Sequence, residues 1–331
     1  MNPRVAVITP TKNRLRLLCE AMDSVQQQDF DAWEHVIVDD GSDDGTAEEV
    51  LRRAALDPRI RYIRRGGEKT GANVCRNLGV NSTSADFVLF LDSDDLLGQH
   101  ALQQRMQTME RDTELDFAVF PAEVFTERVG DRPDRFDGTT SGDDLNHVLY
   151  LNHPWPISGP IWRRASLKAL GLFAEELLSW QDVELNVRAL VAGLRYAKFE
   201  EPDHFIRWHS DAAKTSTQQF QSPDHLKGGL NIVEGFHRRL QAANMLTRTR
   251  RRALAGLVFL IAERWTRRGS LSTGLRTWFL AYRAGLAPLT LVCSGSAVLM
   301  SCRLGVLKGP YEQRTFDRFK CAVGFTERVD A

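Results

Sequence analysis

Zinc-finger spacing is missing from this chain, its cysteines read as free thiols, and no signal peptide is expected at its start. Its five cysteines (Cys19, Cys75, Cys293, Cys302 and Cys321) include no Cys-x-x-Cys pair and have no histidine at zinc-finger spacing. An odd, irregularly spaced set fits free thiols in a reducing compartment. The N-terminus passes from a short polar stretch straight into the strand-like run 5–9, without the apolar core of a signal peptide. A cytosolic catalytic part is therefore expected. No Gly-x-Gly-x-x-Gly follows that run, where Thr9-Pro10-Thr11-Lys12-Asn13 stands instead. Gly66-Gly67-Glu68-Lys69-Thr70 lacks the spacing of a phosphate loop, and Gly-x-Ser-x-Gly is absent. These absences count against a dinucleotide dehydrogenase, an ATPase and an α/β-hydrolase.

Net charge is missing as well, since Lys+Arg and Asp+Glu both number 43 in 331 residues. A nucleic-acid-binding protein is usually basic over its main domain, so nucleic acid is not an expected partner. The balance hides an asymmetry. Residues 248–283 hold nine arginines and one acidic residue, Glu263, so that segment carries about +8. A 43% hydrophobic content at this length suffices for one large α/β domain or two modest ones with a buried core.

What is present alternates between two periods. The short apolar runs 5–8, 35–38, 60–63, 87–91 and 117–120 read as strands. Between them, Leu15, Leu18, Cys19, Met22 and Val25 mark one helix face, and residues 46–56, 72–80 and 101–111 read as further helices. Thr46 with Glu49 predicts a capping box. Strands alternating with helices imply a largely parallel sheet covered on both faces. Residues 131–152 are polar and read as a loop, 167–170 and 183–192 as helical, and 210–224 as a polar boundary before a helical pattern from 226 to about 303.

Open α/β sheets bind ligands beyond the carboxyl ends of their strands, and here those ends are acidic. The second strand runs into Asp39-Asp40-Gly41-Ser42, and the fourth into Asp92-Ser93-Asp94-Asp95. Clustered carboxylates repel and raise one another's pKa, which a divalent cation relieves. Oxygen ligation suits Mg²⁺ or Mn²⁺, which take few protein ligands and complete their shell with water and phosphate oxygens. Asp also favours turns and helix caps, and that reading of either cluster stays open.

From Val5 to about His209 the chain resembles the family 2 glycosyltransferases of the GT-A fold. Five features carry the resemblance in order. They are Val7-Ile8-Thr9-Pro10-Thr11-Lys12-Asn13-Arg14; Val38-Asp39-Asp40-Gly41-Ser42 with Asp44 and Thr46; Gly71-Ala72 with Cys75-Arg76-Asn77-Leu78-Gly79; Leu91-Asp92-Ser93-Asp94-Asp95; and Gln181-Asp182-Val183-Glu184-Leu185. The resemblance implies a three-layer α/β/α GT-A-like domain over residues 1–222, with a mostly parallel central sheet. A helical, basic and amphipathic C-terminal region, 223–331, follows, and there the resemblance ends.

The implied activity is inverting transfer of a sugar from a nucleoside diphosphate sugar, a UDP-sugar for preference, to a glycan or lipid-linked acceptor in surface polysaccharide or glycoconjugate synthesis. The resemblance assigns Pro10, Thr11 and Asp40 to the nucleotide base, and Arg76, Asp92 and Ser93 to the donor. Asp92 and Asp94 match the Asp-x-Asp motif that holds a divalent metal, Mn²⁺ or Mg²⁺, with His209 as a further candidate ligand. Asp39 reads equally as a turn acceptor, Arg76 as an ion-pair partner of a strand-end carboxylate, Asn77 and Gly79 as helix-end residues, and Asp95 as a helix cap. Asp182 matches the catalytic base and also suits a helix N-cap, with Glu184 in reserve. The family usually has Glu where Gln181 stands. His153 and Trp155 fall where the family shapes its acceptor pocket, though an aromatic beside prolines is also a packing residue.

Three rivals remain. A sugar nucleotidyltransferase would show a Gly-rich basic loop after the first strand. A non-catalytic sugar-nucleotide-binding protein is compatible with Gln181. A metal-dependent phosphatase would need a nucleophile or paired metal ligands that the sequence does not offer. In the C-terminal region, Arg248, Arg250, Arg251 and Arg252 precede the apolar run 254–262, with Arg264, Arg267 and Arg268 after it and Trp265, Trp278, Phe279 and Tyr282 nearby. Arginines with aromatics suit peripheral contact with the inner face of the cytoplasmic membrane, and a packed helical subdomain suits them equally. Residues 286–302 are apolar but too short, and too broken by Pro288 and Gly295, to be read as a span.

Overall fold

The apolar run near the start of the chain extends as β1 (Val5–Thr11), with every residue buried. The structure, a computed structural model, describes residues 3–136, 142–151, 155–209 and 222–303. His153, much of the polar stretch 210–224 and part of 131–152 lie outside the described residues. The chain divides into two compact units: residues 1–142, 153–177 and 188–211 form one, and 143–152, 178–187 and 212–331 the other.

After β1 the first unit builds α1 (Leu15–Gln26), β2 (Trp33–Asp39), α2 (Thr46–Leu56), β3 (Ile60–Arg64), α3 (Ala72–Ser82), β4 (Phe87–Phe90), β5 (Leu96–Leu97) and α4 (Ala101–Arg111). Then come β6 (Phe117–Val119), β7 (Ala122–Phe125) and β8 (Arg135–Phe136); the second unit's α5 (Asp144–Leu149) intervenes before β9 (Pro160–Arg163) and α6 (Arg164–Leu170). α7 (Gln181–Val191) starts in the second unit and ends in the first, which closes with β10 (Tyr196–Lys198) and β11 (His204–Arg207).

Seven strands form one sheet in the order β10-β6-β9-β4-β1-β2-β3. All run parallel except β9, which is antiparallel to both neighbours. Side chains alternate across a strand, and β1 uses both faces. Val5 and Val7 join a core with Leu18, Met22 and Val25 of α1, Val50 of α2, and Leu102 and Met106 of α4. On the opposite face Ile8 meets α3 so closely that a Cβ added at Gly79 would fall 2.4 Å from Ile8 Cγ2. Helices therefore cover both faces of a mostly parallel sheet, the three-layer arrangement expected. Gly79 sits inside α3 as a packing residue, not at a helix end.

A second sheet was not legible in the sequence. Its order is β5-β11-β7-β8, with strands of two to four residues. The expected capping box is also replaced. Gly45, at φ +86°, is the N-cap of α2, and Thr46 instead donates to Asp44 Oδ1 at 2.6 Å. Glu49 is taken by Arg52 and Arg53, each at 2.8 Å.

The second unit is helical: besides α5 and the start of α7 it holds α8 (Pro223–Ala242), α9 (Arg248–Arg267), α10 (Leu271–Arg283) and α11 (Leu289–Arg303). Ser222 and Thr247 cap α8 and α9, each accepting a backbone N–H at 3.3 Å, as hydroxyls favour. α9 and α10 cross closely: a Cβ on Gly274 would lie 2.7 Å from the Ala262 carbonyl. Trp278 is sealed beneath them, its indole donating to the Val292 carbonyl at 3.0 Å and its ring edge-on to Phe259. Among the described residues no helix is long and apolar enough to cross a membrane.

Candidate active site

Two acidic strand ends emerge on either side of β1. In the β1–β2 ladder Thr11 pairs with Asp39, and in the β1–β4 ladder Ile8 pairs with Phe90. The chain lays down β1, β2 and β3 outward and then returns to place β4 on the other flank of β1. Such a reversal opens the crevice in which α/β sheets bind ligands.

At the β2 end the two aspartates separate in role. Asp39 is fully buried and acts as a turn acceptor, taking the N–H of Ser42 at 2.8 Å, its hydroxyl at 2.6 Å and the Tyr62 hydroxyl at 2.7 Å. Asp40 faces the loop instead, paired with Arg65 and accepting the Gly71 N–H at 3.0 Å. Its own N–H donates to the Thr11 carbonyl at 2.9 Å. Pro10 and Thr11 are the last residues of β1, not a loop, and both are buried. Asn13, at φ +51°, turns the chain after them and is tied to the β2 loop through Ser42 and Asp43, each at 2.9 Å.

At the β4 end, Asp92 pairs with Arg76 at 2.7 Å, the ion-pair alternative read from the sequence. Asp94 Oδ2 receives both Arg14 Nη1 and His209 Nε2, each at 2.7 Å. Ser93 is buried between them in sequence. Asp95 is not a helix cap: α4 begins at Ala101 behind His100, and Asp95 turns inward to accept the Arg207 N–H at 3.0 Å. Burial first, and then the charges of Asp94 and Asp92, hold its carboxyl well above the usual range, which favours the neutral form.

The small sheet makes this possible. β11 pairs with β5 and β7, and so carries Arg207 and, two residues on, His209 beside the β4 loop. Arg207 Nε also donates to the Asp94 carbonyl at 3.0 Å. Arg65 and Arg207 were not singled out from the sequence, and Arg14 appeared only as part of a motif. The signal for Arg207 lay in its place two residues before His209. Asn77, fully inside α3, clamps the loop at Phe173, donating to its carbonyl at 2.9 Å and accepting its N–H at 3.0 Å. Trp155 is a packing residue, sealed edge-on to Phe117 and Tyr196.

The residues fit a divalent cation and an anionic ligand. The donor set is carboxylate oxygen with one imidazole. Among the described residues no three His, Cys, Asp or Glu converge as a full protein cage. Two buried polar atoms, Thr11 Oγ1 and Arg76 Nε, have no hydrogen-bond partner. Thr11 closes β1 beside Asp39, and Arg76 of α3 pairs with Asp92 at the β4 end.

Residues 6–170 match the family model described as glycosyl transferase family 2. The chain carries a family 2 glycosyltransferase domain. A Campylobacter jejuni protein, GalNAc(5)-diNAcBac-PP-undecaprenol beta-1,3-glucosyltransferase, is 42% identical over 105 residues, which is 32% of this chain and 34% of that one. The aligned part is under half the length of each of the first curated relatives. S. aureus TarS 1–349, solved in complex with UDP-GlcNAc, superposes with a TM-score of 0.66 at 19% identity, covering 92% of both chains. The mannosyltransferase PcManGT from Pyrobaculum calidifontis, solved with GDP-Man and Mn²⁺, gives 0.53 at 18% identity, covering 98% of this chain and 86% of that one. Fold similarity thus continues past residue 220, where the sequence resemblance stopped.

Gln181 and Asp182, singled out from the sequence resemblance, belong to the second unit. Asp182 lies in the first turn of α7, one residue inside its start and not at the cap, and its Oδ1 accepts the Val183 N–H at 2.9 Å. Trp180, at φ +56°, sets the entry to that turn, and the Glu184 N–H closes it on the Trp180 carbonyl at 2.9 Å. Glu184 stands 3.9 Å from Arg239 of α8.

Proposed function

We propose that this chain transfers a sugar from a nucleoside diphosphate sugar to an acceptor hydroxyl with inversion at the anomeric carbon. Transfer chemistry belongs in this reading to residues 1–222. The observation that carries it is the β4 end, where Asp94 lies between Arg14 and His209 at the switch point of a family 2 fold. In this reading Pro10, Thr11 and Asp40 receive the nucleotide base. The Thr11 hydroxyl is free to bond, and the Asp40 carboxyl oxygens have lone pairs beyond those given to Arg65 and Gly71. Asp92, Ser93 and Arg76 face the ribose and diphosphate. Asp94 and Asp92, with His209 beside them, would hold Mn²⁺ or Mg²⁺, which when bound neutralises charge on the leaving diphosphate.

Asp182 accepts the proton. As the acceptor oxygen bonds to the anomeric carbon, the bond to the diphosphate oxygen breaks and the hydroxyl proton passes to the Asp182 carboxylate. Asp182 lies in the first turn of α7, where the helix start carries partial positive charge. Arg14 and Arg76 add positive charge where the diphosphate anion develops. UDP-sugar is the favoured donor, supported by the UDP-GlcNAc bound to TarS, although PcManGT holds GDP-Man. A lipid-linked glycan acceptor in surface glycan synthesis is supported by the undecaprenol diphosphate in the C. jejuni relative's name. We assign the protein to the cytoplasm, with residues 223–331 in peripheral contact with the inner face of the membrane.

A thermal-shift panel of UDP, GDP and their sugars, with Mn²⁺, Mg²⁺ or EDTA, tests the donor site. A ligand that binds the native state raises its apparent stability by mass action. Metal-dependent stabilisation by one nucleotide class, followed by release of that nucleotide on adding an acceptor, supports the reading. Binding without turnover on any acceptor would favour the non-catalytic sugar-nucleotide-binding rival.

A further inference from the structure

The second unit holds a cleft that the donor site does not use. A cavity of about 750 Å³ opens among the first turn of α9, the end of α10 and the start of α11, lined by Arg248, Arg251, Arg252, Tyr282, Leu286 and Leu291. The arginines of that first turn divide in two. Arg250 is buried and fully engaged, with Asp143 at 2.7 Å, Asn146 at 3.1 Å and the Met245 carbonyl at 2.8 Å. Arg248, Arg251 and Arg252 are exposed, and among the described residues none of them forms an ion pair. Among the described residues three guanidiniums thus share one mouth without an ion-pair partner, in the segment that carries about +8.

The rim of the cleft is apolar. Tyr282 is 42% exposed and packs 5.5 Å from Phe279, itself 44% exposed, and Leu289 just beyond the cleft is 50% exposed. Single exposed apolar residues are ordinary. Here large apolar side chains border unpaired guanidiniums, which recognise phosphate oxygens bidentately. Aromatic rings settle at the level of lipid headgroups. A soluble phosphate would use the arginines but leave the rim in water, whereas an amphiphilic anion uses both. We infer that this cleft seats the phosphate headgroup of an anionic phospholipid at a bilayer surface. The site presupposes the peripheral membrane contact proposed above and gives that contact a location.

The full chain is sedimented with phosphatidylcholine vesicles with and without phosphatidylglycerol, at low and high salt. Co-sedimentation is expected only with phosphatidylglycerol and is released by salt, as charge pairing at a surface is screened. Substituting R248Q, R251Q and R252Q together should weaken partitioning by about fivefold per arginine, roughly a hundredfold in all. A matched triple outside the cleft, R268Q with R276Q and R283Q, should lose far less. All six positions are exposed, so both triples retain the packed core. Equal losses in the two triples would leave membrane contact standing and remove the cleft as its seat. Failure of the intact protein to sediment would remove both. Thermal stabilisation by inorganic pyrophosphate that the cleft triple abolishes, without vesicle binding, would make this a site for free anions and overturn the lipid assignment.

Discussion

Arg105→Met isolates the anchor that carries β11 to the candidate site. Arg105 of α4 reaches Asp203 through two hydrogen bonds of 2.7 Å, from Nε and Nη2, and the Ser158 carbonyl through a third of 2.8 Å. Both side chains are sealed, at 0% and 2% exposure. Asp203 immediately precedes β11, whose end supplies Arg207 and, beyond it, His209. Methionine keeps the apolar stem but leaves a buried carboxylate without its partner. Removing one member of such a pair costs about 3–5 kcal/mol. At roughly 2–4 °C per kcal/mol for a domain of this size, Tm should fall by on the order of 10 °C.

The pH dependence separates this from a simple packing defect. In the intact protein burial pushes Asp203 up, but the Arg105 charge and hydrogen bonds outweigh it and hold the carboxyl below its usual value. Its contribution is therefore present above about pH 4 and lost as pH falls through the lowered folded value. In Arg105→Met the burial remains and the cation is gone, so the folded value rises above the unfolded one. Stability in the variant is then lost as pH rises through that raised value. The deficit measured by urea unfolding should accordingly be largest at pH 7 and shrink toward pH 5. Adding Asp203→Leu should recover most of the loss, because neither charge is then stranded. A deficit under about 1 kcal/mol at pH 7, or one that stays constant down to pH 5, would refute the reasoning.

Three further outcomes are expected. Asp94→Ala should abolish metal-dependent binding of the nucleoside diphosphate while the fold is kept, and full activity of that variant in EDTA would contradict the assignment. Asp182→Asn keeps the size and cannot take the proton, so turnover should fall by about 10²-fold or more with donor affinity little changed. That phenotype in Glu184→Gln and not in Asp182→Asn would move the base. His35, buried on β2 with Nε2 2.9 Å from the Thr9 hydroxyl, is held neutral, its pKa lowered by burial and then by Arg53 to about 3. The unfolded chain takes up a proton near pH 6.5 that the folded one refuses. Stability should therefore be full above that pH and fall by about 1.4 kcal/mol per unit between pH 6 and 4. Urea midpoints across that range should show a shallower slope in His35→Leu than in the intact protein, with buried His204 keeping its own share, and equal slopes would sink the idea.

The centre of the large sheet was legible because its strands there are short, largely apolar and sealed on both faces, and a strand buried in this way leaves a mostly apolar run. β1, β2 and β4 show this, and their polar sequels Asp40 and Asp92 to Asp95 mark where the buried runs end. The second sheet left no such trace. β5 and β8 have two residues each and β11 alternates His204, Phe205, Ile206 and Arg207, too short for a period to emerge. Capping was misread for a related reason. Thr46 and Glu49 have the spacing of a capping box, but Gly45 accepts the positive φ that the turn requires, and the arginines on α2 claim Glu49.

The same contrast explains which site residues emerged from sequence. Acidic strand ends are visible because three carboxylates in four residues break a pattern, whereas the groups that make them tolerable arrive from far along the chain. Arg14 comes from the loop before α1, Arg76 from α3, Arg207 from β11 and His209 from two residues beyond it, more than a hundred residues after Asp94. Each lies beside the cluster only through a ladder or helix contact formed elsewhere, so no local spacing could announce it. Their number also bears on chemistry. Arg14 and His209 both spend hydrogen bonds on a single oxygen of Asp94, Arg76 answers Asp92, and Asp95 is held toward neutrality by burial and its two charged neighbours. The carboxylates are thus held in place by partners within the chain, and in the proposed reading they stand positioned before a cation and a diphosphate arrive. Such preorganisation is what electrostatic stabilisation of a leaving group requires.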